Sequence, residues 1–288
     1  MRILLTNDDG VYAPGLAAME RALRALGDVY VVAPLREQSG VSHSITFLTP
    51  LQAGKVYVNG EHWAWTVDGT PADCVKLAVS TILPQPPDLI VSGINGGLNS
   101  GLNVLYSGTV AAAVEGALYG ITSIAVSLQS AKDAPFREAA DLSLGIIEKI
   151  WQKNTEPGSL YSINIPVQAV QDGNPQVKIT PMNSSECWET YECRTDTTGR
   201  PYYWLAGSSN PRPLAPGRSS AARPNQLTDT AAVLQGYITV TPLRYDLTDE
   251  RRLSEMSDWQ LSPQTNIPPD NLNNIEHTGP QIRVCWRS

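Results

Sequence analysis

The first 166 residues of the chain alternate short apolar segments with amphipathic segments of helical period. Strand patterns rich in Val, Ile and Leu are predicted at residues 3–5, 29–33, 89–92, 121–128 and 161–165. Helix patterns are predicted at residues 14–26, from Pro71 onward with Thr70 as N-cap, and at 109–118 and 136–151. This alternation predicts an α/β protein with a doubly wound, mainly parallel, Rossmann-like sheet.

The character of the sequence changes after Pro166, where Pro, Thr, Ser and Gly become frequent and clear periods become few. An early β-hairpin is predicted at residues 45–49 and 56–67, and one late strand is predicted at residues 235–241. Pro242 is expected to end the late strand. We expect a single domain over 1–288, with an α/β core at 1–166. Residues 167–288 are expected to form an antiparallel β extension and a C-terminal oligomerisation arm.

The composition limits the classes of partner. Hydrophobic residues make up 42% of the 288 residues and charged residues 17%, as in folded globular proteins. A formal net charge of −7 argues against a nucleic-acid-binding surface. No apolar run approaches the roughly 20 residues that span a bilayer, and no signal-peptide pattern opens the chain. We therefore expect a cytoplasmic protein with no membrane partner.

The cysteines and histidines do not form a zinc-binding pattern. The chain has four cysteines and three histidines, none of them in a C-x-x-C pair or a cluster. Cys187 and Cys193 are close enough in sequence to pair, but reduced thiols are expected in the cytoplasm. A thiolate metal site is therefore excluded in favour of oxygen ligands.

Two adjacent carboxylates follow the first predicted strand. In open α/β sheets, ligands bind at the carboxyl ends of the strands, which is where Asp8 and Asp9 lie. The turn-forming residues Asn7 and Gly10 allow both side chains to face one point. Like charges held close together favour a bound hard cation, so we interpret the acid pair as a binding site for a divalent metal. The alternative is a solvated Asp-Asp-Gly turn.

Polar residues follow two other predicted strands and would meet the acid pair at the same edge of the sheet. The loop after the second strand contains Ser39, with Ser42 and His43 close by, and the loop after residue 92 contains Asn95 and Asn99. Carboxylate, hydroxyl and amide oxygens suit Mg²⁺, Mn²⁺ or Ca²⁺. With so few charged ligands, such an ion would keep positions open for water and substrate, as a catalytic metal requires.

A glycine-rich loop at 93–108 leads into the predicted helix at Ser107, Gly108 and Thr109. The N–H groups and the dipole at a helix start bind anions, and glycines let the backbone approach a phosphate closely. Taken alone, such a loop is as often a simple flexible connection. A divalent metal facing an anion-binding helix start predicts phosphate-ester hydrolysis.

Three other phosphate-handling classes fit less well. A P-loop requires GxxxxGK[ST], which the chain lacks. Nucleophilic-aspartate phosphatases usually place one residue between their two acids, whereas Asp8 and Asp9 are adjacent. Signalling receiver domains also have an acid pair after the first strand. Here, however, Ser92 and Gly93 follow the PDLIV strand where a receiver carries its phospho-acceptor aspartate.

Taken together, the motifs resemble those of one family, the survival protein E (SurE) phosphatases. The matching segments are MRILLTNDDG at 1–10, SGVSHSIT at 39–46, DGTPADCV at 68–75, SGINGGLNSGLNVLYSGTV at 92–110, SINIP at 162–166, GYITVTPL at 236–243 and DLTD at 246–249. The resemblance covers nearly the full chain. Two departures are Gln38, where many members have a charged residue, and Ala111, where glycine is usual.

The resemblance implies a metal-dependent nucleotidase that hydrolyses nucleoside 5′- and 3′-monophosphates. It implies one divalent ion per subunit, Mg²⁺ or Mn²⁺, held by Asp8, Asp9, Ser39 and Asn95. It also implies substrate phosphate contacts from Asn99, Ser107, Gly108 and Thr109. Members are typically dimers or tetramers that exchange C-terminal elements, so a homo-oligomer is expected.

The catalytic roles of several residues stay open in the sequence. Asp8 or Asp9 either accepts a proton from water or only holds the ion, and His43 is either a general acid that contacts the substrate or a loop histidine bonded to backbone. Glu115 is interpreted as a helix-face residue rather than a catalyst. Aromatic side chains suited to stacking on a base, or to packing, are Trp63, Trp65 and Tyr106. The alternative functions are a nucleotide sensor or scaffold with little turnover and, more weakly, a glycosyltransferase.

Overall fold

The computed structural model describes residues 1–154, 156–184, 190–206, 226–259 and 261. The chain separates into two compact units. The first comprises Met1–Glu186 and Pro213–Tyr245, and the second comprises Cys187–Arg212 and Asp246–Ser288. Cys187, His277 and Cys285 lie outside the described residues.

In the described part of the first unit, nine strands form one sheet. They are β1 (Arg2–Thr6), β2 (Asp28–Pro34), β3 (Ala53–Val58), β4 (Glu61–Val67), β5 (Leu89–Asn95), β6 (Thr122–Leu128), β7 (Leu160–Ile165), β8 (Val177–Ile179) and β11 (Ile238–Leu243). Their order across the sheet is β3-β4-β2-β1-β5-β6-β7-β11-β8. The six strands from β4 to β7 in that order pair in parallel, whereas β3 is antiparallel to β4 and β11 to β7. The predicted mainly parallel α/β architecture is confirmed.

Helices lie between the strands and cover the sheet. In the first unit they are α1 (Pro14–Leu23), α2 (Pro71–Leu77), α3 (Gly108–Leu118), α4 (Phe136–Lys153), α5 (Val167–Gln171) and α6 (Asp229–Leu234). A π-helical turn, Ala78–Ile82, continues α2, and a 3₁₀ turn, Gly101–Leu105, precedes α3. No helix among the described residues is long and apolar enough to cross a membrane.

The central strands are buried on both faces, as their continuous apolar runs predict. One core cluster packs α1 and α4 against the sheet and contains Leu16 and Ile147. A second packs α2 against the opposite face and contains Leu4 and Cys74. Thr70 caps α2 as predicted, because its hydroxyl accepts a hydrogen bond from the N–H of Asp73. This double coverage leaves the loops at the carboxyl ends of the parallel strands as the place for a site.

Two strand predictions are wrong, one for a whole strand and one for the end of a strand. Residues 45–49 are not a strand, and the hairpin consists of β3 and β4 alone. Pro242 lies inside β11, where it pairs with Tyr161 of β7. The outer neighbour β8 reaches only as far as Val240. Among the described residues, Pro242 therefore has a strand on one side only, and its missing N–H is tolerated there.

The described part of the second unit contains two strands and one helix. β9 (Thr190–Thr195) and β10 (Pro201–Ala206) form a two-stranded antiparallel hairpin. Asp196 closes the turn between them by accepting hydrogen bonds from the N–H groups of Thr198 and Arg200. α7 (Glu250–Met256) begins at Asp249, whose carboxylate accepts from the N–H of Arg252. In the described ranges, all side chains of β9 are exposed.

Candidate active site

The acid pair lies in a tight turn directly after β1. The Asn7 side-chain amide donates to the carbonyl of Gly10 over 2.9 Å, and Gly10 has φ +97°, which favours glycine. The N–H of Gln38 donates to the carbonyl of Asp8 over 2.7 Å, which brings the loop after β2 against this turn. The predicted convergence of the first two loops is therefore present in the backbone.

The start of α3 contacts Asp8. The Thr109 hydroxyl donates to Asp8 Oδ1, and Ser107 caps the helix by accepting a hydrogen bond from the N–H of Val110 over 3.1 Å. A Cβ on Gly108 would lie 2.9 Å from Cβ of Asp8 and 3.2 Å from Cγ of Pro71. Only glycine therefore fits here, and the N-terminus of α3 lies against the acid pair.

Burial makes both carboxylates costly to ionise. Asp8 is 4% exposed, and this burial, together with the charge of Asp9, raises its pKa to about 6 despite the hydrogen bonds from Thr109. Burial also raises the pKa of Asp9, with a further contribution from the nearby Glu37, although the N–H of Gly96 donates to its Oδ2 over 3.2 Å. The turn therefore concentrates negative charge at a point where a cation would stabilise it.

The two other predicted metal ligands flank this turn. Asn95 ends β5 next to Gly96, and its side-chain N–H donates to the backbone carbonyl of Gly97 over 2.7 Å. The side-chain oxygen of Asn95, Oδ1, is the atom that would serve as a metal ligand. Ser39 is exposed in the loop after β2, and its hydroxyl donates to Glu37 Oε1 over 2.6 Å. Asn95 is thus close to Asp9 through its neighbour, whereas the Ser39 hydroxyl is bonded within its own loop.

Asn99 is buried in a polar framework that the sequence motifs do not predict. Its N–H donates to Asn164 Oδ1 over 2.7 Å, and its side-chain amide donates to Ser127 Oγ over 2.8 Å. Asp229, at the start of α6, accepts from the N–H of Gly101 over 2.8 Å. Ser127 and Asn164 are buried polar residues at the carboxyl ends of β6 and β7. A polar residue at the end of an apolar strand pattern is the sequence signal that could have indicated their role. This framework holds the loop that leads to α3.

His43 is bonded to a buried carboxylate rather than to backbone. Its Nε2 lies 2.8 Å from Oε2 of Glu115, and Nζ of Lys76 lies 3.0 Å from Oε1 of the same residue. Glu115 is 4% exposed on α3, so it is part of a polar cluster and not a plain helix-face residue. Neither Glu115 nor Lys76 was linked to His43 in the sequence, because 72 and 33 positions separate them from it.

The candidate stacking residues are spread apart. Trp65 lies in the β3–β4 hairpin under Lys55, whose Nζ is 5.2 Å from the ring centroid, and Trp63 packs at the edge of the core. Tyr106 is 60% exposed and immediately precedes the cap of α3. Of the three, Tyr106 is therefore the one that adjoins the candidate site.

The residues present fit a hard divalent cation. The donor set of Asp8, Asp9, Ser39 and Asn95 offers only oxygen atoms, which suit Mg²⁺, Mn²⁺ or Ca²⁺. In the part of the chain that the structure describes, no group of three or more His, Cys, Asp or Glu residues is placed to hold a metal. A site made by the predicted ligands would combine two carboxylates with the neutral side chains of Ser39 and Asn95.

The fold and this site define the class of protein: an α/β protein with an acid pair and a helix N-terminus at the carboxyl edge of a parallel sheet. The family model described as Survival protein SurE matches residues 3–189. A protein of Rhodopirellula baltica named 5′-nucleotidase SurE is 48% identical over 264 residues, which are 91% of this chain and 100% of that protein.

A second relative of the same name, from Heliobacterium modesticaldum, is 41% identical over 90% of this chain and 92% of that protein. The crystal structure of the SurE protein from Aquifex aeolicus superposes with a TM-score of 0.72 at 37% identity, over 89% of this chain and 98% of that one. The chain belongs to the SurE family. The resemblance drawn from the sequence motifs is confirmed.

Proposed function

We propose that this chain is a metal-dependent phosphatase that hydrolyses nucleoside 5′- and 3′-monophosphates to nucleoside and phosphate. The proposal is supported by the relatives that carry the name 5′-nucleotidase SurE and are matched over most of their length. The single structural observation that carries it is the contact between Asp8 and the start of α3. In this proposal, the acid pair binds a cation and the adjoining helix start binds an anion, which together make the two halves of a phosphate-ester site.

Asp8, Asp9, Ser39 and Asn95 would hold one divalent ion, Mg²⁺ or Mn²⁺. When bound, the ion supplies a Lewis acid for a phosphate oxygen and lowers the pKa of a water molecule. The neutral ligands Ser39 and Asn95 add no charge, so two carboxylates balance the two charges of the ion.

The start of α3 binds the phosphate in this proposal. Its first-turn N–H groups have no partners within the helix, and the helix dipole is positive at that end. Ser107, Gly108 and Thr109 form that turn, and Asn99, the fourth proposed phosphate contact, is held by Ser127 and Asn164. The turn stabilises negative charge that develops on the phosphate oxygens.

Three finer properties belong to this proposal on the strength of the sequence and the family. The protein acts on free nucleotides in the cytoplasm. It assembles as a homo-oligomer, a dimer or a tetramer. The family membership favours turnover over the nucleotide-sensing or scaffold alternative and over glycosyl transfer.

Phosphate release from a panel of nucleoside 5′- and 3′-monophosphates tests the function. Wild-type protein is assayed with Mg²⁺, with Mn²⁺ and with EDTA, beside Asp9→Asn. We expect metal-dependent release by wild type and a loss in Asp9→Asn that exceeds the roughly 10–100-fold cost of losing an outer partner of a metal site. A folded wild-type protein that binds nucleotides but releases no phosphate with either metal would support the sensing role instead.

A further inference from the structure

Glu115 joins His43 to α3 through a buried carboxylate. Its two oxygens are divided, with Oε2 facing His43 Nε2 at 2.8 Å and Oε1 facing Lys76 Nζ at 3.0 Å. Burial raises the pKa of Glu115, but the hydrogen bonds and charges of His43 and Lys76 outweigh burial and hold the pKa below its usual range. Glu115 is therefore an ionised carboxylate, which can only accept hydrogen bonds.

The segment around His43 is fastened next to the start of α3. The N–H of Ser42 donates to the carbonyl of Tyr106 over 3.0 Å, and its hydroxyl donates to the carbonyl of Leu105 over 2.6 Å. Thr46 donates to the carboxylate of Asp73 through both its N–H and its hydroxyl. His43 is thus held between the residues that precede Ser107 and a carboxylate two turns further along α3.

The contact with Glu115 decides which ring nitrogen of His43 is free. An ionised carboxylate at Nε2 requires a proton on that nitrogen, so Nε2–H donates to Glu115. In the neutral imidazole Nδ1 is then unprotonated, and in the imidazolium Nδ1–H is the proton that His43 can transfer.

We propose that Glu115 is a positioning residue that makes Nδ1 of His43 the proton donor to the leaving ribose oxygen. This inference rests on the proposed nucleotidase function. As the bond from phosphorus to the ribose oxygen breaks, its electron pair stays on that oxygen, which takes the proton from Nδ1. The bond from phosphorus to the attacking water oxygen forms, and the water proton passes to solvent. Solvent then returns a proton to Nδ1, so His43 ends unchanged.

The ring tautomer tests the orientation without any turnover. Long-range ¹⁵N–¹H NMR of the full-length protein without metal distinguishes protonated from unprotonated ring nitrogens. The chain has only three histidines, and His43→Asn identifies the His43 signals. We expect neutral His43 to carry its proton on Nε2 in wild type. A neutral ring protonated on Nδ1 would overturn the proposal.

Substrates that differ in their leaving group test the proton transfer. A ribose oxygen needs a proton to leave, whereas the p-nitrophenolate of p-nitrophenyl phosphate does not. We expect His43→Asn and Glu115→Gln to lower kcat for the preferred nucleoside monophosphate by about 100-fold and to change kcat for p-nitrophenyl phosphate by less than about 3-fold. Equal losses on both substrates would show a structural role and refute the proposal.

His62→Asn is the matched control, because it makes the same change as His43→Asn at an exposed histidine of the β3–β4 hairpin. We expect it to keep the wild-type tautomer of His43 and to stay within about 3-fold of wild-type kcat, and a loss equal to that of Glu115→Gln would contradict the proposal. The double variant His43→Asn/Glu115→Gln should be no slower than His43→Asn alone, since both act through one group. Wild type that binds nucleotides but shows no turnover would refute the proposed function, whereas the tautomer result stands apart from turnover.

Discussion

Asp8→Asn removes a buried charge and is expected to stabilise the metal-free protein. Asp8 is 4% exposed and faces the charge of Asp9, so its carboxylate is ionised in the folded state only at a cost. Asn has nearly the same shape, and its side-chain oxygen can still accept the hydrogen bond from Thr109. The substitution therefore removes the charge while it keeps the packing.

The size of the effect follows from the pKa of Asp8. The shift from 3.8 to about 6 corresponds to about 3 kcal/mol of lost stability when the carboxylate is ionised in both folded and unfolded states. Because the folded pKa is the higher one, this cost is fully present well above pH 6. It shrinks as the pH falls through 6 and disappears below pH 3.8. The gain from Asp8→Asn should thus be largest near pH 8 and roughly halve by pH 5.

Urea unfolding in EDTA at pH 8 and pH 5 measures this gain. The matched control is Asp141→Asn, the same change at an exposed position of α4, which should alter stability by less than about 0.5 kcal/mol. Thermal unfolding with added Mn²⁺ completes the assay. Wild type should gain Tm from the metal and Asp8→Asn should not, because ligand binding stabilises only a folded state that still has the site.

Two results would refute this reasoning. If Asp8→Asn were less stable than wild type in EDTA at pH 8, the carboxylate would be stabilising rather than costly. If Mn²⁺ raised the Tm of both proteins equally, Asp8 would not belong to the metal site.

Further predictions concern the backbone around the site. Gly108→Ala should lower Mn²⁺ affinity and kcat at least about 10-fold, since its Cβ would crowd Asp8; calorimetry and kinetics measure these losses. Its control is Gly145→Ala, in open space on α4, which should add about 0.5–1 kcal/mol of stability in urea unfolding. Asp229→Ala should cost about 1–3 kcal/mol and raise KM, because the buried N–H of Gly101 loses its acceptor. An unchanged KM in Asp229→Ala would contradict the role of Asp229 in holding the loop around Gly101.

Most of the central sheet was predictable because its strands are buried on both faces and read as continuous apolar runs. The ends of the helices and strands were less predictable from the sequence. The first helix was predicted to reach Leu26 but ends at Leu23, since Ala25 and Leu26 bond to carbonyls only three residues back. The three-residue edge strand β8 has no pattern long enough to detect.

The candidate site was predictable where its signals are local. Asp8 and Asp9 follow a strand, and Ser107 begins a helix, so neighbouring residues are enough to suggest their roles. Asp229 meets Gly101 across 128 positions of the sequence. Only the folded chain brings such partners together, because nothing in the local pattern of either segment points to the other.

The most direct test of the central claim is a Mn²⁺ titration of EDTA-treated, desalted protein, followed by phosphate release from the preferred nucleoside monophosphate. The proposed metal chemistry predicts no release without metal and a return of activity that saturates near one ion per subunit. Full release by the protein in the presence of excess EDTA would contradict the claim that Asp8 and Asp9 work by holding a metal.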